Sequence, residues 1–148
     1  MTEYRFELDS QHHITLSDQH SQEDEAVVHE GLSAFNHAVV GSEHYQPFNL
    51  YIRDENGAIM GGLLGVTYWG WCYVSIVWVH DLLRGKGCGR RLLQIAEEEA
   101  IRRGCRGMHL DTMSFQALPF YQKLGFTVYG QIDDFVDGHT RFYLQKRL

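Results

Sequence analysis

Residues 74–100 contain, in direct succession, an apolar run, a glycine-rich turn and an amphipathic pattern. The run "VSIVWVH" has the continuous apolar character of a strand that is covered on both faces. Beyond "RGKGCG", leucines and alanines recur at helical spacing and predict a helix over residues 87–103. The segment "RGMHLDTM" then predicts a second strand. A strand, a helix and a strand in this order predict a right-handed crossover between two parallel strands.

The chain before this unit predicts an antiparallel meander. Two β-rich runs within residues 49–69 are joined through Asn56-Gly57, a dipeptide that suits a type I′ turn. Gly70 then separates the second run from the apolar strand.

The remaining segments complete an α/β pattern. Residues 23–40 have apolar residues at helical spacing, with Gly31 predicting a break. A short helix is predicted over residues 117–124. Residues 126–132 and 139–148, joined by a loop with Asp137-Gly138, predict an antiparallel closing pair.

Length and composition favour one domain over residues 1–148, since a chain of 148 residues can bury a sizeable core. No segment reaches the roughly 20 apolar residues of a membrane-spanning helix, and the first residues lack a secretion signal. We therefore expect a cytoplasmic protein with no membrane partner. The oligomeric state is left open, a homodimer included.

Charge and cysteine usage exclude several classes of protein. A formal net charge of −6 does not suit the broad basic surface of a nucleic-acid-binding protein. The three cysteines form no CxxC pair, which predicts reduced thiols. The zinc pattern HExxH fails because Ser33 stands where the second histidine is required after His29-Glu30. We expect no metal site.

Four cations surround the predicted start of the second helix: Arg84, Lys86, Arg90 and Arg91. The N-terminus of a helix already carries the positive end of the helix dipole. Cations there are unfavourable by a few tenths to about 1 kcal/mol each unless an anion binds between them. The pattern therefore predicts an anion site built on unpaired backbone N–H groups.

Two familiar phosphate motifs do not match this turn. A Walker A loop requires Ser or Thr after Gly-Lys, and here Gly87 follows Lys86. A dinucleotide-binding turn requires GxGxxG, and here Arg90 stands where the third glycine is needed.

Two other motifs carry a resemblance to a known family. Arg84, Gly87 and Gly89 form Arg-x-x-Gly-x-Gly directly after the apolar strand, which resembles the acetyl-CoA signature of the GNAT superfamily of N-acetyltransferases. The later "SFQALPFYQKLGF" resembles the same family's Asn-x-x-Ala-x-x-Phe-Tyr segment, with Ser114 in place of asparagine. The resemblance implies a mixed, mainly antiparallel sheet of six to seven strands, about four flanking helices and a splayed parallel strand pair.

The resemblance also implies an activity. It predicts an N-acetyltransferase that moves an acetyl group from acetyl-CoA to a primary amine of a small molecule or peptide, by direct attack in a ternary complex. A non-catalytic acyl-CoA sensor or interaction module is the alternative. A different nucleotide on the glycine turn is a third option.

By the same resemblance, the CoA pyrophosphate is expected on the glycine turn and the pantetheine arm along the end of the apolar strand. The residues implied for cofactor binding are Val77, Trp78, Val79, Arg84, Gly85, Lys86, Gly87, Cys88, Gly89, Arg90, Ser114 and Tyr121.

Catalytic roles follow from matching positions. Tyr121 corresponds to the tyrosine that protonates the departing thiolate, and the backbone N–H of Val79 to an oxyanion donor. His80 and Asp111 are both candidate bases for the amine, and a surface histidine and a salt-bridged aspartate are equally reasonable interpretations. The acceptor pocket is expected to draw on Phe35, Asn36, Trp69, Trp71 and Phe115, all of which also suit ordinary packing.

Overall fold

The structure is a computed structural model that describes residues 4–148. The chain divides into two compact units, one ending at Ser42 and one formed by Glu43–Leu148. The single domain over residues 1–148 stays a prediction.

The first unit begins with a two-stranded hairpin. Strand β1 (Tyr4–Glu7) pairs antiparallel with β2 (His13–Leu16). The second strand lies in a polar segment where the sequence predicted none. The only apolar residues of β2 are Ile14 and Leu16. The strand was missed because an alternating pattern of four residues is too short to be recognised in a sequence.

Helix α1 (Gln22–Val40) completes the first unit. Ser21 caps it, since its hydroxyl accepts the N–H of Asp24 at 3.2 Å, and acidic residues fill the first turn. The helix continues through Gly31, so the predicted break is wrong. One glycine costs about 1 kcal/mol in a helix, which the other residues of a 19-residue helix can offset.

The second unit is a six-stranded sheet with the order β3-β4-β5-β6-β8-β7. Every pair is antiparallel except β5 with β6, as the crossover predicted. Two α-helices and one short 3-10 helix join the strands, which confirms the expected fold class. The elements are β3 (Gln46–Arg53), β4 (Ile59–Tyr68), β5 (Trp71–Val79), the 3-10 helix Asp81–Leu83, α2 (Cys88–Arg102), β6 (Gly107–Met113), α3 (Leu118–Lys123), β7 (Thr127–Val136) and β8 (His139–Arg147).

The type I′ turn lies one hairpin later than predicted. At Asn56-Gly57 only the glycine has a positive φ, of 84°. The carboxylate of Asp54 shapes this longer loop by accepting two backbone N–H groups. Between β4 and β5, Trp69 and Gly70 have φ values of 45° and 73°. Two consecutive positive φ values in a two-residue connection define a type I′ turn.

The core lies between one face of the sheet and α2. Its buried residues alternate along the strands and recur at helical spacing along α2, as the amphipathic pattern predicted. The buried apolar residues include Leu63, Cys72, Val74, Leu92, Leu93, Ala96, Ala100, Met108, Leu110 and Leu144.

The parallel pair separates halfway along its length. Trp71 to Val74 pair with Gly107 to Leu110, and β5 then continues beside β4 alone. A β-bulge at Ser75 coincides with this point, because Val74 faces Gly65 and Ile76 faces the adjacent Leu64. Bulges bend a strand and increase its twist. The bulge at Ser75 therefore accounts for the opening between β5 and β6.

Candidate active site

Two cavities meet where the parallel strands separate. The first, here called the sheet cleft, has a volume of about 250 Å³ and lies between the ends of β5 and β6. The second, the glycine-turn cavity, has a volume of about 460 Å³ and lies against the start of α2. Val77, Ala117 and Tyr121 line both cavities. A ligand that reaches from the glycine turn into the sheet must pass these three residues.

The glycine turn presents backbone N–H groups to its cavity. Gly85 and Gly87 have φ values of 72° and 81°, and an added Cβ would meet nothing within 4 Å at either. These positions therefore need glycine for backbone conformation. The first intrahelical hydrogen bond runs from Arg91 N–H to Gly87 O. The N–H groups of the preceding turn are unpaired in the helix, and no acidic side chain fills that turn.

Gly89 connects the two sequence motifs in space. An added Cβ at Gly89 would lie 3.3 Å from the Phe120 ring on α3. A Cβ at this distance would push the ring away by a few tenths of an ångström, so glycine allows the closest approach of the ring to the start of α2. The phenylalanine before Tyr121 therefore holds α3 against the glycine turn.

The cations of the turn have different partners. Arg84 forms an ion pair with Asp81 at 2.8 Å and donates to Val79 O at 3.2 Å. Arg91 pairs with Glu98 at 3.4 Å. Arg90 lines the glycine-turn cavity, whereas Lys86 does not. Arg90 is thus the side-chain cation best placed for an anion at this turn.

The end of β5 offers backbone groups to the same cavity. His80 N–H donates to Met60 O on the β4 side at 2.9 Å. Because successive N–H groups of a strand point to alternate sides, those of Val77 and Val79 point away from β4. Pairing with β6 ended at Val74, so across residues 4–148 no strand occupies that side.

Tyr121 is almost fully buried, with 8% of its surface exposed, and its ring packs edge-on against Phe120 and Phe126. Burial, and to a smaller extent the negative charge of Asp111, raise the pKa of Tyr121. The phenol therefore keeps its proton at neutral pH. A protonated phenol at the junction of two cavities can donate a proton to a group that enters from either one.

The two candidate bases occupy different environments. Asp111 lines the sheet cleft, and its carboxylate accepts Arg141 Nε at 2.9 Å and the Tyr73 hydroxyl at 3.4 Å. His80 caps the 3-10 helix, where its Nδ1 accepts the N–H of Leu82 at 3.2 Å. It lines neither cavity. The structure brings Asp111 near Tyr121 and gives His80 a structural hydrogen bond.

The other candidate residues lie outside the two cavities. Ser114 accepts the N–H of Thr140 at 3.2 Å and lies 3.1 Å from His139 Nδ1, which ties it to β8. Phe115 packs edge-on against the same histidine at 4.8 Å. The side chain of Trp78 is exposed on the far face of the sheet. Trp69 and Trp71 line a separate cavity, while Phe35 and Asn36 belong to α1 in the first unit.

Ser75 and Gln116 are among the residues of the sheet cleft that were not identified from the sequence. Ser75 lines the cleft, and its hydroxyl donates to Leu64 O at 3.1 Å. Gln116 also lines it, and its side-chain oxygen accepts the N–H of Met113 at 2.8 Å. The only sequence signal for Ser75 was one polar residue inside an apolar run.

The two buried cysteines, Cys72 and Cys105, are unsuited to covalent catalysis. Burial raises the pKa of Cys72 to about 12 and also raises the pKa of Cys105. These thiols stay protonated at neutral pH, and only a thiolate is a good nucleophile. Within residues 4–148, no three His, Cys, Asp or Glu side chains cluster as metal ligands do, and no helix is long and apolar enough to span a membrane.

The chain belongs to the acetyltransferase (GNAT) family, whose sequence model matches residues 8–126. This confirms the predicted resemblance and the enzyme class. Members of this family use acetyl-CoA as the acetyl donor.

Relatives and solved structures agree with this assignment. The chain is 38% identical to the acetyltransferase Atu2258 of Agrobacterium fabrum over 90% of this chain and 98% of that protein. It is 36% identical to the blasticidin-S acetyltransferase of Streptomyces morookaense over 74% of this chain and 82% of that protein. A crystal structure of an acetyltransferase from Bacillus cereus aligns with a TM-score of 0.81 at 29% identity, over 90% of this chain and 97% of that chain.

Proposed function

We propose that the protein transfers an acetyl group from acetyl-CoA to a primary amine of a small molecule or peptide, by direct attack in a ternary complex. The observation that carries this proposal is the position of Tyr121, a buried phenol at the junction of the glycine-turn cavity and the sheet cleft. One cavity then holds the donor, the other admits the acceptor, and the phenol faces the bond that breaks.

The cofactor residues follow from this arrangement. The pyrophosphate of CoA binds the N–H groups of the turn from Gly85 to Arg90, with the charge of Arg90 beside it. The pantetheine arm pairs with the free edge of β5 at Val77 and Val79, in the place that a neighbouring strand would take. The thioester then lies next to Tyr121.

Each step of the transfer has a group in reach. The amine attacks the thioester carbonyl carbon, and the Val79 N–H stabilises the negative charge that develops on the carbonyl oxygen. The C–S bond breaks, the thiolate takes the proton of the Tyr121 hydroxyl, and the phenolate regains a proton from solvent when CoA–SH leaves. The ammonium gives up one proton to Asp111, through a water molecule, before it attacks, and the nitrogen of the tetrahedral intermediate loses a second proton to solvent by the same route.

We favour Asp111 over His80 as the general base because of where each side chain lies. Asp111 lines the sheet cleft, from which the acceptor approaches, whereas His80 Nδ1 already accepts the N–H of Leu82. The negative charge of Asp111 also attracts a protonated amine before it reacts. Arg141 orients the carboxylate through two nitrogens at 2.9 and 2.8 Å.

A small-molecule acceptor is favoured over a peptide. The relative from Streptomyces morookaense is named for acetylation of the small molecule blasticidin S and covers 74% of this chain. The sheet cleft, at about 250 Å³, has room for an amine and its adjoining carbons.

The test is thiol release from acetyl-CoA over a panel of amino acids, polyamines, aminoglycosides and peptides with free N-termini or lysines. Turnover with at least one class supports the proposal. CoA binding without turnover on any amine would identify a sensor instead. A thermal-shift series covers the third option, because stabilisation by ATP or NAD and not by CoA would contradict an acetyl-CoA site.

A further inference from the structure

The face of the sheet opposite α2 carries an aromatic cavity of about 310 Å³. It is lined by Tyr68, Trp69, Trp71, His109, Tyr129 and Gln145, one or two residues from each of five strands or their turns. We call this cavity the aromatic pocket. Five of its six lining side chains are rings, although the pocket lies outside the main core.

The aromatic pocket connects to the sheet cleft. A neighbouring cavity of about 470 Å³ shares Tyr68 with the aromatic pocket and is also lined by Tyr73 and Ser75. Ser75 in turn lines the sheet cleft. Tyr68 and Ser75 thus place the three cavities in a row along the sheet, with the sheet cleft at one end and the aromatic pocket at the other.

The chemistry of the pocket suits a flat ring with hydrogen-bonding edges. Tyr68 OH lies 3.1 Å from His109 Nε2, and burial lowers the pKa of His109, so this imidazole is uncharged at neutral pH. Gln145 contributes an amide at the same wall. Rings present faces for stacking, while the amide and imidazole present donors and acceptors.

A cationic group suits the pocket less well. Arg147 already lies over the Trp71 ring, with its guanidinium carbon 4.7 Å from the ring centre. No carboxylate lines the pocket to offset a second positive charge. An aromatic site for a cation would need a free ring face and no competing charge.

We propose that the acceptor is an amine that carries a planar heteroaromatic ring, with the ring stacked in the aromatic pocket and the amine in the sheet cleft. This inference rests on the proposed acetyltransferase function and specifies its substrate class. Ser75 and Trp71 are four residues apart on β5, so the ring and the amine are separated by roughly 13 Å at about 3.3 Å per residue.

The test compares two series of primary amines in the thiol-release assay. One series has an indole at the end of an alkyl chain of increasing length, and the other has the same chains without the ring. We expect kcat/KM to rise by about tenfold for ring amines once the chain spans the row of cavities, the gain typical of one stacked ring. Short ring amines should show no gain over their plain counterparts.

The matched variants are Trp69→Asn and Tyr51→Leu. Asparagine tolerates the positive φ of residue 69, so Trp69→Asn removes the ring and keeps the turn. Tyr51 is an exposed aromatic residue on β3 that lines none of these cavities. We expect Trp69→Asn to remove most of the ring preference and Tyr51→Leu to leave it unchanged.

Each outcome decides the matter. Equal kcat/KM for the two series at every length, with measurable turnover, overturns the ring pocket and leaves the acetyltransferase proposal intact. No turnover with any amine overturns both. If Trp69→Asn dissociates a dimer in sedimentation and leaves the ring preference unchanged, the face is an interface between copies and the inference is wrong.

Discussion

The glycine turn and the aromatic pocket are built in opposite ways. The turn is one contiguous stretch, and its ligand-facing groups are backbone N–H donors at the start of α2. The pocket gathers side chains from five strands, over a stretch of chain from Tyr68 to Gln145. A backbone site depends on φ values and on the absence of Cβ atoms, whereas a side-chain site depends on which residues the sheet register places together. In our proposals the backbone site binds acetyl-CoA and the side-chain site binds the ring of the acceptor amine.

The largest effect is expected at Tyr121, which lies where the glycine-turn cavity and the sheet cleft meet. Tyr121→Phe removes the proton donor and retains the ring that packs against Phe120 and Phe126. A general acid contributes about 10² to 10⁴ in rate, so we expect kcat to fall by about 10³ with little change in CoA affinity. Steady-state kinetics and isothermal titration with CoA measure the two quantities.

Tyr51→Phe is the matched control, because Tyr51 is exposed and lines neither the active-site cavities nor the aromatic pocket. Near wild-type kcat in Tyr121→Phe, with an unchanged pH profile, would show that the phenol donates no proton.

Asp111→Asn tests the proposed general base. We expect kcat to fall by about 10², which is within the range that a general base contributes. The pH profile adds a second measurement. The charge of Asp111 contributes to the raised pKa of Tyr121, so its removal lowers that pKa. The decline in rate at alkaline pH should therefore begin at a lower pH than in the wild type. An unchanged kcat would reduce Asp111 to a partner that holds Arg141.

Gly85→Ala tests the glycine turn as the proposed pyrophosphate site, and Gly57→Ala is its control. Both glycines have positive φ, 72° and 84°, and open space around them, so both variants should lose about 1 to 2 kcal/mol of stability. Only Gly85→Ala displaces N–H groups from the proposed phosphate site, so only its KM for acetyl-CoA should rise, by about tenfold. Equal KM values in the two variants would place the pyrophosphate elsewhere.

The smallest effect concerns the thiols. Cys72 and Cys105 are buried with raised pKa values, whereas Cys88 is partly exposed in the glycine turn. At pH 8 we expect iodoacetamide to modify Cys88 first, and acetyl-CoA to slow this reaction severalfold. Mass spectrometry of peptides identifies the modified residue. Modification of Cys88 at the same rate with and without acetyl-CoA would argue against cofactor contact at the turn.

The sequence was sufficient to predict the secondary structure around the glycine turn. The parallel crossover, the helix of residues 88–102 and the glycine turn all follow from local patterns, because strand and helix periods and glycine conformation are properties of neighbouring residues. The type I′ turn was misplaced because Asn-Gly is the favoured dipeptide, whereas Trp69-Gly70 forms the turn. At that position the pairing of Tyr68 with Trp71 outweighed local preference.

The side-chain contacts of the sheet cleft and the aromatic pocket could not be predicted from local patterns. The ion pair of Asp111 with Arg141 and the hydrogen bond of Tyr68 with His109 join residues on different strands. Such contacts depend on strand order and register, which one sequence does not reveal. Ser75 was missed for a related reason, since a bulge is defined by the partner strand that it fails to match.

The bulge at Ser75 changes which residues of β5 face α2. Before it, Cys72 and Val74 face α2; after it, Val77 and Val79 do so, while Ile76 and Trp78 are exposed. One extra residue thus reverses the alternation and frees a strand edge. Deleting Ser75 would bring Ile76 directly after Val74 and restore regular pairing with β4, with Val77 and Val79 still facing α2. A regular β5 would allow pairing with β6 to continue past Val74, and this would close the strand edge where we propose that the pantetheine arm binds.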